Sequence, residues 1–269
     1  MVTARSFLLR GLLAGLIAGI VCFGVAFTVG EPSVRTSIGI EESGPQESSG
    51  HTHSDEPAAA GAPEAGAHEE GGTVVPRSLQ STLGLLTATA VAGVTLGGLV
   101  GAVSALALGR FGRLRVRATT LLVTGVGFTC VYVLPSLVYP PNPPAVGQSE
   151  TIGLRTALYF TMVAISVIAG VTAVGVGRHL ARRWGAWYAG LAALAGFGLV
   201  MAVAAALLPS YNEVPADFPA TVLYSFRRAS FLTELALWGV LGVTLAELAH
   251  RLTARSARVQ PRPLADVRS

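Results

Sequence analysis

Six long apolar runs divide this 269-residue chain: 7–29, 83–108, 118–138, 156–177, 186–208 and 229–249. Each is long enough to cross roughly 30 Å of hydrocarbon as a helix, which takes about 20 residues. Inside a bilayer the backbone must satisfy its own polar groups, and a helix does so within one segment. Only 13% of the residues are charged, about half of the roughly 25% usual in soluble domains. These features predict an all-α polytopic membrane bundle of about six helices. The first run follows Arg5 and Arg10, as in a signal peptide. It exceeds the usual apolar core of about 7–15 residues, and no clean small-residue cleavage site follows. The expectation is a retained span, with residues 1–29 as the first helix and 81–250 as a five-helix bundle.

All 19 basic residues are arginine, and their distribution orients the chain. Fourteen fall at the start, in the 110–117 and 178–183 connections, and after residue 250. Five (Arg35, Arg77, Arg155, Arg227 and Arg228) fall on the opposite side. The positive-inside rule then places both termini and the basic tail, 251–269, in the cytoplasm. The net charge of +4 is thereby used up by topology. No basic face remains for nucleic acid. Cys22 and Cys130 both lie within apolar runs, so no disulfide framework is expected and they read as small packing residues.

The segment 30–80 differs from the runs. Nine carboxylates face Arg35 and Arg77 there, among Gly, Ala, Ser and Pro and without any aromatic residue. It buries too little apolar surface to offset its chain entropy and is expected to be a largely disordered outer loop. The other outer connections are short and proline-rich. Leu134-Pro135-Ser136 opens one and Leu208-Pro209-Ser210 the other, and each leads to Thr-x-Leu-Tyr, at 156–159 and 221–224. That similarity suggests parallel two-helix repeats, although short loops favour Pro and Asn in any case. Glycines four apart, Gly11/Gly15/Gly19 and Gly93/Gly97/Gly101, predict close packing of the first two helices.

Candidate chemistry falls in three places. His51, His53 and His68, beside Asp55, Glu56, Glu69 and Glu70, suit weak capture of a borderline divalent ion. The bland alternative is a solvated acidic linker. Glu234 lies inside the last apolar run, where an ionisable group is costly and usually faces a partner or a water-filled path. Glu247 lies near the inner end of the same run, within i,i+4 reach of Arg251. Asn212, Glu213 and Asp217 stand on the stiff turn LPSYNEVPADFP, 208–219. They read as oxygen donors at an outer vestibule, or as the caps of a tight turn. GxSxG, HExxH and P-loop motifs are lacking, so no enzyme and no tightly bound cofactor is expected.

RGLLAGLIAGIVCFGVAFTVGEP (10–32), the acidic histidine loop, YPPNPPAVG (139–147) and LPSYNEVPADFPAT (208–221) resemble the CbtA family of predicted cobalt transporter subunits. The resemblance runs in order through nearly the whole chain. It implies import of Co²⁺ for cobalamin synthesis across a bacterial inner membrane, with a small one-span, histidine-rich partner of the CbtB kind and scope for homo-oligomers. Two features depart from the pattern. Six runs are present where the family is described with five spans, and Arg35 follows the Glu-Pro pair where an acid is expected. A non-transporting membrane scaffold with purely structural turns is the alternative. Neither composition nor spacing separates cobalt from nickel.

Overall fold

Glycine decides which helices approach most closely. The computed structural model describes residues 4–43, 79–110 and 114–259, and among these every regular element is helical. Helix α1, Ala4–Val25, runs against the helix Leu85–Ala107, here α3. A methyl group placed on Gly15 would overlap the Gly93 carbonyl, and one on Gly97 the Gly11 carbonyl. At Gly101 it would lie 2.8 Å from the Phe7 carbonyl oxygen. Only bare Cα–H surfaces permit this main-chain contact, and lipid offers no hydrophobic drive that would substitute for it. The six glycines read from the sequence are therefore the seam itself.

A five-residue π turn, Ala26–Gly30, carries α1 directly into α2, Glu31–Ser43. The expectation of an irregular loop from residue 30 is thus corrected for 31–43, which are helical. Local chemistry explains this. Pro32 stands in the first turn of α2, where its missing N–H costs least. Arg35 pairs with Glu31 at 3.2 Å, one turn apart. Ser33, Thr36 and Ser37 return their hydroxyls to the carbonyls of Gly30, Pro32 and Ser33. The rest of the proposed loop, including His51, His53 and His68, lies outside the described residues.

The same device recurs farther along. Helix α4, Val116–Phe128, continues through a π turn, Thr129–Val133, into the short α5, Leu134–Val138. Each of these π turns ends two residues before a proline, Pro32 or Pro135. A proline ring collides with the carbonyl four residues back, here Thr28 or Val131. Both carbonyls lie inside the wider turn, which moves them aside. In the second turn the displaced carbonyls find outside donors: Tyr159 donates its hydroxyl to Val131 at 3.3 Å, and Ser166 donates to Cys130.

After a proline-rich loop and a 3₁₀ turn, Ser149–Thr151, comes α6, Ile152–Leu207, followed by α7, Ala220–Val259. Among the described residues, five helices are long and apolar enough to span a membrane. At 56 residues α6 would reach about 84 Å if straight, nearly three hydrocarbon thicknesses. It is not straight. Gly185 adopts φ 78°, ψ 160°, a conformation essentially restricted to glycine. Beyond it the chain folds back: a methyl on Gly177 would lie 3.1 Å from the Ala193 Cβ, and one on Gly170 3.9 Å from the Phe197 ring. The two arms, 152–184 and 186–207, contain the fourth and fifth apolar runs. Five continuous helices thus carry six apolar segments.

Trp184, Trp187 and Tyr188 are exposed at this hairpin tip beside Arg182 and Arg183, the composition of a membrane–water interface. Two cores form. One gathers Ala14, Ala18 and Cys22 of α1 with Leu237, Trp238, Leu241 and Leu245 of α7. The other gathers Tyr139 with Leu158, Met162, Met201 and Ala204 of the α6 hairpin. Large side chains such as Leu99, Leu106, Ile168, Val171, Leu194 and Leu199 point outward, as lipid contact requires.

Candidate functional site at the junction of bundle and hairpin

Glu234 sits half-buried on α7, one turn before Trp238 of the first core. Trp238, one turn further on, is its side-chain hydrogen-bond partner. Cys22 of α1, Tyr132 of the second π turn and Tyr159 of α6 all lie within its electrostatic reach. The Cys22 Sγ lies 3.7 Å from the Thr233 carbonyl, directly beside the carboxylate's own residue. Aromatic packing holds this wall in place. Tyr132 stacks on Phe128 at 5.8 Å and meets Phe231 at 6.4 Å, while Phe128 meets Trp238 at 6.1 Å. Among the described residues no ion pair to Glu234 is found. Arg227, two turns earlier on the same helix, is engaged elsewhere: it donates to the Pro141 carbonyl at 3.3 Å and to Asn142 Oδ1 at 3.0 Å. An intramembrane carboxylate costs about 2.5–3.5 kcal/mol even by lenient scales, so its placement calls for a use.

A cavity of about 510 Å³ opens between α5, the proline-rich loop and the first arm of α6. Ser136, Asn142, Arg155 and Tyr211 line it, together with Tyr132 and Tyr159. Tyr132 is shared: it walls the cavity and packs against Phe231, one turn before Glu234 on α7. A second hollow, about 460 Å³, lies between the α1–α2 junction and the start of α7, with Thr28, Ser33, Thr36, Ser225 and Arg228 on its sides.

The stretch 208–219 does something other than gather three donors. Glu213 accepts from the Gln148 N–H at 3.0 Å, from the Thr151 hydroxyl, and faces the Arg155 guanidinium at 3.5 Å. Tyr139 stacks on Tyr211 at 5.4 Å and donates its hydroxyl to the Pro209 carbonyl at 2.8 Å. The two proline-rich loops therefore clasp each other. Asn212 turns its Oδ1 back to the Val214 N–H at 3.3 Å, a local Asx turn, and Asp217 is exposed before α7. Among the described residues, no three His, Cys, Asp or Glu side chains converge as a metal cluster.

The Thr151 hydroxyl, then the Gln148 N–H and Arg155, hold the Glu213 carboxyl below its ordinary value. A depressed carboxylate stabilises the fold above the unfolded pKa and loses that contribution as pH falls through the folded one. The clasp is therefore expected to persist at neutral pH and to open on acidification below the usual glutamate range. Hydrogen exchange across 139–151 and 208–219 measures it. Glu213→Gln should show the faster exchange already at neutral pH, and unchanged exchange would mean the carboxylate does not hold the loops.

Several of these residues escape a sequence reading. Tyr159 is visible only as part of Thr-x-Leu-Tyr, and Tyr132 carries no signal beyond its distance from Pro135. Arg155 and Arg227 read as topological charges, whereas they bind loop groups. Glu31 reads as one loop acid among nine, yet its side chain is only 7% exposed and pairs with Arg35. At the other end of α7, Glu247 does pair with Arg251, at 2.8 Å, and also with Arg117 of α4, at 2.6 Å.

Neither the curated proteins nor the solved structures contain a match to this chain. The family described as probable cobalt transporter subunit (CbtA) matches residues 4–250, nearly the whole length. A polytopic helical bundle with a carboxylate at its internal junction is in keeping with that description, and the chain belongs to the CbtA family.

Proposed function

We propose that this chain is the membrane subunit through which Co²⁺ crosses a bacterial inner membrane. The observation that carries the proposal is a shared wall: Tyr132 lines an outward cavity and packs at 6.4 Å against Phe231, one turn from the intramembrane Glu234. The sequence segments assigned to the outer side carry twelve carboxylates against five arginines, a balance that raises the local concentration of cations. His51, His53 and His68 would add weak, fast capture there. Exposed Asp217 offers charge at the mouth, while Glu213 shapes it by holding the loops together and Asn212 by turning its own loop. Glu234 then supplies the negative charge that a dehydrating divalent ion needs. Inward of it, Trp238, Leu241 and Leu245 are buried and close the bundle, so release requires α7 to shift against α1 and α4. Ser104 and Thr120, fully buried with hydroxyls lacking any hydrogen-bond partner, would line the inner half once it opens.

The family description speaks of a subunit, which supports a partner; we assign that role to a small one-span, histidine-rich CbtB-like protein, with homo-oligomers as a further arrangement. A scaffold would explain the clasped loops equally well, but it has no need of Glu234. Cells expressing the chain with this partner should accumulate Co²⁺ above cells lacking it; equal accumulation removes the transport reading. The six-crossing arrangement with cytoplasmic termini is tested on the same cells. A thiol reagent should reach Ser210→Cys from outside only and Arg183→Cys from inside only, and the reverse pattern refutes it. Both native cysteines are buried, so background labelling is low.

A further inference from the structure

We infer that the hollow between the α1–α2 junction and the start of α7 binds the headgroup of an anionic phospholipid, with Arg228 on the phosphodiester and a ring of hydroxyls around a polyol headgroup. The inference does not depend on the transport reading. Three observations support it. The hollow, of about 460 Å³, falls within the roughly 300–1,000 Å³ of ordinary ligand sites. Arg228 lines it, exposed, with its guanidinium 6.0 Å from the centre of the Tyr224 ring. Arg35, Arg155 and Arg227 are committed to Glu31, to Glu213, and to Pro141 with Asn142; among the described residues Arg228 has neither a hydrogen bond nor an ion pair. The third observation is position. The apolar runs 7–29 and 229–249 both end at this hollow, which Thr28 and Val29 reach from one helix and Arg228 from the other. It therefore lies at the boundary between hydrocarbon and headgroups, where the phosphates of a bilayer are found.

The lining sets the chemistry. No carboxylate is among the lining residues, so Arg228 gives the hollow its charge. A guanidinium donates two parallel hydrogen bonds to a phosphate. The Thr221 and Ser225 hydroxyls, on α7 within two turns of Arg228, have no acceptor among the described residues and can donate to the same group. Thr28, Ser33 and Thr36 already donate to the carbonyls of Gly24, Gly30 and Pro32. Their oxygens remain acceptors, which suits the hydroxyls of a glycerol headgroup. An ammonium headgroup would instead meet Arg228 with no carboxylate beside it to balance the charge. On the hydrocarbon side, Val21 stands two turns along α1 from Thr28 and Leu232 one turn along α7 from Arg228. Both are exposed and share the helix face of those lining residues, which gives the acyl chains apolar surface.

The test uses the full-length chain, purified and delipidated in detergent. It is titrated with dioctanoyl phosphatidylglycerol, dioctanoyl phosphatidylcholine or inorganic phosphate while thermal unfolding is followed. Phosphatidylglycerol should raise the melting temperature saturably, and phosphatidylcholine much less. Arg228→Gln should weaken the apparent affinity for phosphatidylglycerol roughly tenfold or more, as loss of a charge-assisted hydrogen bond does. Ser225→Leu, which fills the hollow and leaves the arginine in place, should weaken it as well. Arg182→Gln, which removes an exposed arginine at the hairpin tip, should leave it unchanged. No stabilisation of the wild type, equal stabilisation by both lipids, an affinity that survives Arg228→Gln or Ser225→Leu, or an equal loss in Arg182→Gln overturns the site. Stabilisation by inorganic phosphate as strong as by phosphatidylglycerol overturns the lipid as its occupant.

Discussion

Glu234→Gln should reduce Co²⁺ accumulation to the level of cells without the protein, while protein abundance and thermal stability in detergent stay near wild type. The amide keeps the volume and still accepts from Trp238, the carboxylate's hydrogen-bond partner, so the local packing survives. What disappears is the charge. Loss of a neutral hydrogen-bond partner costs about 1 kcal/mol, whereas a dehydrating divalent ion left without its carboxylate loses the main source of its stabilisation. Among the described residues Glu234 has no arginine partner, so its removal strands no buried cation and the fold has no electrostatic reason to fail. Stability unchanged with transport lost is the signature expected. Full transport in the glutamine variant would return Glu234 to the status of a tolerated polar residue.

Gly15→Leu should have the opposite signature, with little folded protein recovered at all. Overpacking a core costs about 1–3 kcal/mol when neighbouring side chains can yield. At Gly15 the obstacle is the Gly93 main chain, which cannot rotate away, so α1 and α3 must separate along their length. Their separation also releases the α1 face that carries Cys22 to α7. Gly24, at which an added methyl meets nothing within 4 Å, is the control: Gly24→Leu should be recovered at near wild-type levels. Equal recovery of both leucine variants in a detergent extraction and size-exclusion assay would show that the glycine seam does not hold the bundle.

These two predictions come from features of different legibility. The glycines four apart announce a helix contact from the sequence, because only small residues let backbones approach in lipid. Glu234 announces itself too, since a carboxylate within an apolar run is anomalous wherever it is found. The stretch 208–219 is less legible. Its prolines and donors suggest a vestibule, but residues about 60 positions away, Gln148, Thr151 and Arg155, engage Glu213. No local pattern encodes such a pairing.

The apolar runs, the arginine distribution, the glycine seam and the intramembrane carboxylate were determined by the sequence alone, because helical length, charge and side-chain size act within one segment. Continuation of α1 into α2 was legible in principle from Pro32 and its serines, but composition over the longer acidic stretch masked it. Tertiary structure decided the rest. It folded α6 back at Gly185, set the proline-rich loops against each other, and brought Cys22 of α1 and Tyr132 of the second π turn against the stretch of α7 that carries Glu234. Their convergence depends on packing angles and turn geometry, and those are properties of the assembled bundle rather than of any stretch of chain.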